Sequence, residues 1–107
     1  MTFNNVKNIF LIGIGGIGMS ALARYFITKK KYVMGYDREY SETTDALQKS
    51  GAIITYDKHD YSFIDKHVSQ KDETLVIISS AIKKDHSLLN QFVIKDLMLQ
   101  KEHLFWK

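Results

Sequence analysis

Apolar positions along this chain fall into two alternating rhythms. Residues 8–14 (NIFLIGI) form a short, almost continuous apolar run, the length of a strand buried on both faces, and glycines follow at once. Ile17, Ala21, Leu22, Tyr25 and Phe26 then recur at helical spacing, and the pattern stops at Lys29, Lys30 and Lys31. Residues 32–36 (YVMGY) predict a second strand ending at Asp37, and residues 41–50 predict a helix closed by Gly51 in the C′ position. A third strand is expected over 52–56 and a short helix over 61–68. Residues 74–79 (TLVIIS) read as a fourth strand, as apolar as the first. A last helix is expected over 87–100, with Leu89, Phe92, Val93 and Leu97 on one face, and 103–106 (HLFW) form a short fifth strand.

Strands that alternate with helices imply βαβ units, right-handed crossovers and a parallel sheet covered on both faces. The expected fold is therefore α/β, a Rossmann-like doubly wound parallel sheet of about five strands in the order 3-2-1-4-5. In such sheets a ligand lies outside the carboxyl ends of the strands, where the strand order reverses. Here those ends are residues 13–18 and 79–82.

Composition narrows the class. A chain of 107 residues, 45% apolar and 25% charged, suits one globular domain and excludes coiled-coil, collagen-like and disordered classes. No apolar run approaches the roughly 18 residues of a membrane span, and the start lacks the order of a signal peptide, so a cytoplasmic protein without a membrane partner is expected. The absence of cysteine removes disulfides, thiolate zinc sites and thiol catalysis. A net charge of +3 is too mild to name an anionic partner. Lys29 to Lys31, and Lys83 with Lys84, are short runs that read as solvated helix ends, so no nucleic-acid partner is expected.

The chemistry concentrates at Gly13-Ile14-Gly15-Gly16-Ile17-Gly18, which matches G-x-G-x-x-G directly after a buried strand and at the start of a helix. The first glycine would permit the tight turn, the second a close approach of a pyrophosphate, and the third close packing of helix on strand. Free amides and the positive end of the helix dipole would hold the anion. Asp37, 19 residues after Gly18, has the spacing of a ribose-binding acid. The motif therefore predicts a phosphate-bearing nucleotide; the competing reading is a glycine-rich turn used only for packing. His59, His67, His86 and His103 have no ligand spacing, so no metal site is expected, and Asp57, His59 and Asp60 read as a solvated loop. Ser79 and Ser80 lack the G-x-S-x-G context of a nucleophile.

The wider sequence around the loop, residues 13–23 (GIGGIGMSALA), resembles the N-terminal loop of the Mur ligases, where a doubled glycine is followed by Met-Ser. Gly35-Tyr36-Asp37 is similar to the family's Gly-x-Asp, and Ser79-Ser80-Ala81-Ile82 to its Ser-Ser-Ala-Ile. With Ser50-Gly51-Ala52 before the third strand, the resemblance covers nearly the whole chain. It implies a domain that binds the UDP part of UDP-N-acetylmuramate, with Gly13, Gly15, Gly16, Ile17 and Gly18 around the diphosphate and Ser20 beside them. By the same resemblance Asp37 lies towards the uridine, Ser79, Ser80 and Ala81 flank the diphosphate and sugar, and His59 matches a histidine after the third strand.

The resemblance further implies ATP-dependent ligation of L-alanine in bacterial peptidoglycan precursor synthesis. In the family a second domain with a P-loop takes ATP and Mg²⁺, and a third takes the amino acid. No G-x-x-x-x-G-K-[ST] occurs in these 107 residues. The expectation is one UDP-substrate-binding domain over 1–107, with no cofactor of its own, no catalytic residue and no activity without the remaining ligase domains. Two other functions fit the glycine fingerprint: the NAD-binding domain of an oxidoreductase, and a nucleotide-sensing module that gates transporters.

Overall fold

The computed structural model describes residues 6–67, 74–79, 87–88 and 104–106. Its elements are β1 (Asn8–Ile12), α1 (Ile17–Thr28), β2 (Tyr32–Tyr36), α2 (Glu42–Lys49), β3 (Ile53–Thr55), α3 (Tyr61–His67), β4 (Thr74–Ile78) and β5 (Leu104–Trp106). All strand pairings are parallel, and the order is β3-β2-β1-β4-β5. The helix expected over 87–100 lies outside the described residues except for 87 and 88, which are helical.

Period-two alternation sorts the central strands onto two faces. Ile9 and Leu11 of β1, Val33 of β2 and Leu75 and Ile77 of β4 pack with Met19, Ala23 and Phe26 of α1 and Leu47 of α2. Phe10, Ile12, Met34, Val76 and Ile78 face the other way, onto Phe63 and Ile64 of α3 and onto Leu88. The rings of Phe10 and Phe63 meet edge to face with centroids 5.9 Å apart. Both β1 and β4 are buried along their whole length, which is why neither shows polar alternation in the sequence. Each fully buried Ile, Leu or Phe contributes about 1.5–3 kcal/mol, so the sheet centre dominates stability.

Local chemistry sets the ends of the elements. Ser41 is the N-cap of α2: its side chain accepts from the Thr44 amide while Thr44 Oγ1 accepts from the Ser41 amide, a reciprocal capping box. At the other end Gly51, with φ of 119°, donates to Gln48 O, and the Ala52 amide donates to Leu47 O, which together make a Schellman motif. The sequence expectation for Gly51 is met. The same motif closes α1, where Lys30 and Lys31 donate to Ile27 O and Phe26 O. There the left-handed position is held by Lys30, with φ of 63°. A lysine pays a steric cost in that region that glycine does not, so Lys30→Gly should stabilise the domain by about 1 kcal/mol in urea denaturation.

Candidate functional site

β1 ends at Ile12, two residues before the apolar run does, because Gly13 turns the chain with φ of 92°. That is a conformation an L side chain resists, so the first glycine performs the task its motif position requires. The amides of Gly13 and Ile14 both donate to Tyr36 O, at 2.8 and 3.0 Å, which fastens the loop to the carboxyl end of β2. Gly16 donates to Gly13 O at 3.1 Å and becomes the N-cap of α1, with extended backbone and no side-chain cap. The first-turn amides of Ile17, Gly18 and Met19 therefore have no carbonyl inside the helix to donate to, and among the described residues no side chain caps them. Gly16, Ile17 and Gly18 are exposed, Ile17 at 94%, while Met19 is buried beneath them.

Such a helix start, at the switch between β2 and β4 on either side of β1, favours an anion through its amides and dipole. Ser79 follows β4 and donates its amide to Ile12 O at 3.0 Å, so the end of β4 stands beside the glycine turn. Ser80 and Ala81 lie outside the described residues. Ser20 is buried, and its hydroxyl donates to Ile17 O at 3.0 Å, back into the first turn of its own helix.

Asp37 is drawn directly into the loop. Its Oδ2 accepts from the Gly15 amide at 2.7 Å, and its Oδ1 accepts from the Glu39 amide at 3.2 Å. The Asp37 amide in turn donates to Thr55 O, at the end of β3. Tyr36 beside it is buried, and burial, followed by the Asp37 charge, pushes its phenol above the ordinary tyrosine value. His59 stands in the loop after β3, its amide on Asp57 Oδ1 and its Nδ1 3.1 Å from the Tyr61 hydroxyl. Asp60 caps α3, accepting from Thr55, Ser62 and the Phe63 amide. Among the described residues no group of three or more His, Asp or Glu is placed to hold a metal ion.

The three glycines of the motif divide their tasks differently from its usual assignment. A Cβ at Gly18 would meet nothing within 4 Å, so the third glycine is not what lets helix and strand approach. The close approach falls instead on Gly35 in β2, paired with Leu11, where a Cβ would run into Leu11 O and come within 3.0 Å of the Ile14 side chain. Ile14 covers Gly35 and so seats the loop on the sheet. Thr44, which the sequence reading did not single out, walls the loop from α2; its Cγ2 would lie 3.0 Å from a Cβ on Gly15. The Ser41-x-x-Thr44 spacing is its only trace in the sequence.

The chain is similar to known proteins. The chain is 41% identical over 92 residues to the UDP-N-acetylmuramate–L-alanine ligase of Parabacteroides distasonis, covering 86% of this chain and 20% of that protein. It is 44% identical over 101 residues to the ligase of the same name from Flavobacterium psychrophilum, covering 94% and 22%. The chain thus spans about one fifth of the curated relatives it matches. Among solved structures, a murein peptide ligase from Psychrobacter arcticus superposes with a TM-score of 0.69 over 94% of this chain and 18% of that one, at 19% identity, which shows a shared fold. The family model for the catalytic domain of the Mur ligases matches residues 8–101, and with the relatives' identity across the same stretch it establishes that this chain belongs to the Mur ligase family.

Proposed function

We propose that residues 1–107 form the UDP-binding domain of an ATP-dependent ligase that joins L-alanine to UDP-N-acetylmuramate in peptidoglycan precursor synthesis. The observation that carries this reading is the start of α1, where an exposed glycine turn leads into first-turn amides without a cap, at the switch point of the sheet. Names of the similar proteins supply the ligand class. Gly16, Ile17 and Gly18 receive the diphosphate, Asp37 faces the nucleoside, and Ser79, with Ser80 and Ala81, borders the sugar side. Ser20 supports the turn from below through its bond to Ile17 O.

The residues around this loop do not suit ATP with magnesium. A phosphate-binding loop for a γ-phosphate needs a lysine and a free hydroxyl after its last glycine. Here Met19 is buried in the core and the Ser20 hydroxyl is bound to Ile17 O. ATP and Mg²⁺ belong to ligase domains beyond these residues, and the chain alone is inactive in amide formation. The proposed reaction is one of the cytoplasm.

NMR titration of the ¹⁵N-labelled chain with UDP and, separately, with NAD tests the reading. UDP should move the amides of residues 13–20 and 37 in the millimolar range, with weak affinity because contacts from other domains are missing. Silence at millimolar UDP would defeat the proposal, and movement by NAD alone would point to an oxidoreductase.

A further inference from the structure

Residues 24–32 (RYFITKKKY) carry four of the chain's 15 lysines and arginines and none of its 12 aspartates and glutamates; the first acid in the chain is Asp37. The sequence reads these lysines as a solvated helix end, and the structure adds two features. Tyr25 and Tyr32 stand exposed among them, at 50% and 69%, with Arg24, Lys29 and Lys30 exposed beside them. The backbone of the turn is also spent: the amides of Lys29, Lys30, Lys31 and Tyr32 donate to Tyr25 O, Ile27 O, Phe26 O and Lys7 O at 2.8–3.1 Å. No N–H in that turn is left to cradle a single phosphate, so an anion at this end of α1 is met by side chains alone. Tyr25 is engaged as well. Its ring meets Phe26 edge to face with centroids 5.2 Å apart, and Lys29 Nζ stands 5.6 Å above it, so it is ill placed to stack on a nucleobase.

We propose that the carboxyl end of α1, with Arg24, Tyr25, Lys29, Lys30, Lys31 and Tyr32, is a peripheral docking surface for a bilayer of anionic lipid. Cations on long side chains, without a backbone cradle, meet diffuse negative charge rather than one bound group, and tyrosine, with an apolar ring and a polar tip, suits the headgroup level of a membrane. No helix among the described residues is long and apolar enough to cross a membrane, so the contact is at the surface. The lysines also offset the negative end of the helix dipole, which by itself would repel anionic headgroups. With 12 residues α1 is about 18 Å long, and the patch lies at the end away from the glycine turn, so lipid contact leaves that turn open to solvent. The inference does not depend on the nucleotide reading.

The test is co-sedimentation of the chain with vesicles of phosphatidylglycerol and, separately, of phosphatidylcholine. The chain should bind the first and not the second, and raising the salt from about 0.1 M to 1 M, which shortens screening from about 10 to 3 Å, should release it. Each cation near such a surface strengthens binding about fivefold, so the triple variant Lys29→Gln, Lys30→Gln, Lys31→Gln should bind about a hundredfold more weakly. Its glycine-loop amide resonances, residues 13–18, should stay in place. A second variant, Arg24→Gln with Tyr32→Ser, changes only exposed side chains and should lose about fivefold or more, which keeps the test decisive if the triple variant fails to fold. No sedimentation of the folded wild-type chain, equal binding to both vesicles, undiminished binding by a folded variant, or binding that survives 1 M salt would overturn the inference. Tighter binding to duplex DNA than to the charged vesicle would overturn it too, by making the patch a nucleic-acid surface.

Discussion

Gly18→Asp should abolish nucleotide binding while leaving the domain at least as stable as before. A Cβ at Gly18 meets nothing within 4 Å, so the new side chain has room. The first turn of α1 holds no acidic residue, and a carboxylate there interacts favourably with the helix dipole, by about 0.3–1 kcal/mol. The same charge opposes a diphosphate received by the neighbouring amides. At about 4–6 Å and an effective dielectric of about 20, the repulsion is on the order of 3–4 kcal/mol, which corresponds to an affinity loss of more than a hundredfold. Calorimetric or NMR titration with UDP, paired with urea denaturation, reads both quantities. Undiminished UDP binding in a folded Gly18→Asp would remove the start of α1 from the binding site.

Gly35→Ala is expected to have the opposite profile, a severe loss of stability from the smallest possible side chain. The added methyl would collide with Leu11 O in the adjacent central strand and press on Ile14 from 3.0–3.1 Å. A carbonyl in a parallel ladder cannot rotate away without breaking its own pairing, so the strands must separate or the loop must lift. The cost should reach about 3 kcal/mol or more, a large part of the roughly 5–15 kcal/mol that holds a domain of this size together. Chemical denaturation of Gly35→Ala beside Gly18→Ala is the direct comparison. The fingerprint's usual logic would assign the packing role to Gly18, and the structure assigns it to Gly35. Equal stabilities for the two variants would refute that assignment.

Much of the architecture is legible in the chain because its causes are local or one-dimensional. Strands such as 8–12 and 74–78 betray themselves as unbroken apolar runs, since burial on both faces leaves no position for a polar side chain. Gly51 marks the end of α2 because a Schellman turn requires φ above zero within a few residues of the helix. The glycine loop is visible for the same reason, and the alternation of elements leads to the order β3-β2-β1-β4-β5 through the handedness of parallel crossovers.

The division of labour inside the loop is not legible, because it depends on what lies across the sheet. Periodicity places Gly15 and Asp37 at the ends of successive strands, yet their 2.7 Å bond follows from the parallel register that sets Ile12 opposite Tyr36 and swings the loop over β2. The packing glycine is Gly35 because Ile14 folds down onto it, and nothing in the spacing of G-x-G-x-x-G distinguishes that outcome from contact at Gly18. Lys30 occupies a left-handed position that sequence preference reserves for glycine, since closing α1 onto β2 required the turn there whatever the residue. Local sequence thus determined the elements, their order and the presence of a glycine turn at the start of α1. Only the tertiary structure decided which amides remain open to a ligand and which are taken by Asp37, because that choice is made by side chains brought together from separate strands.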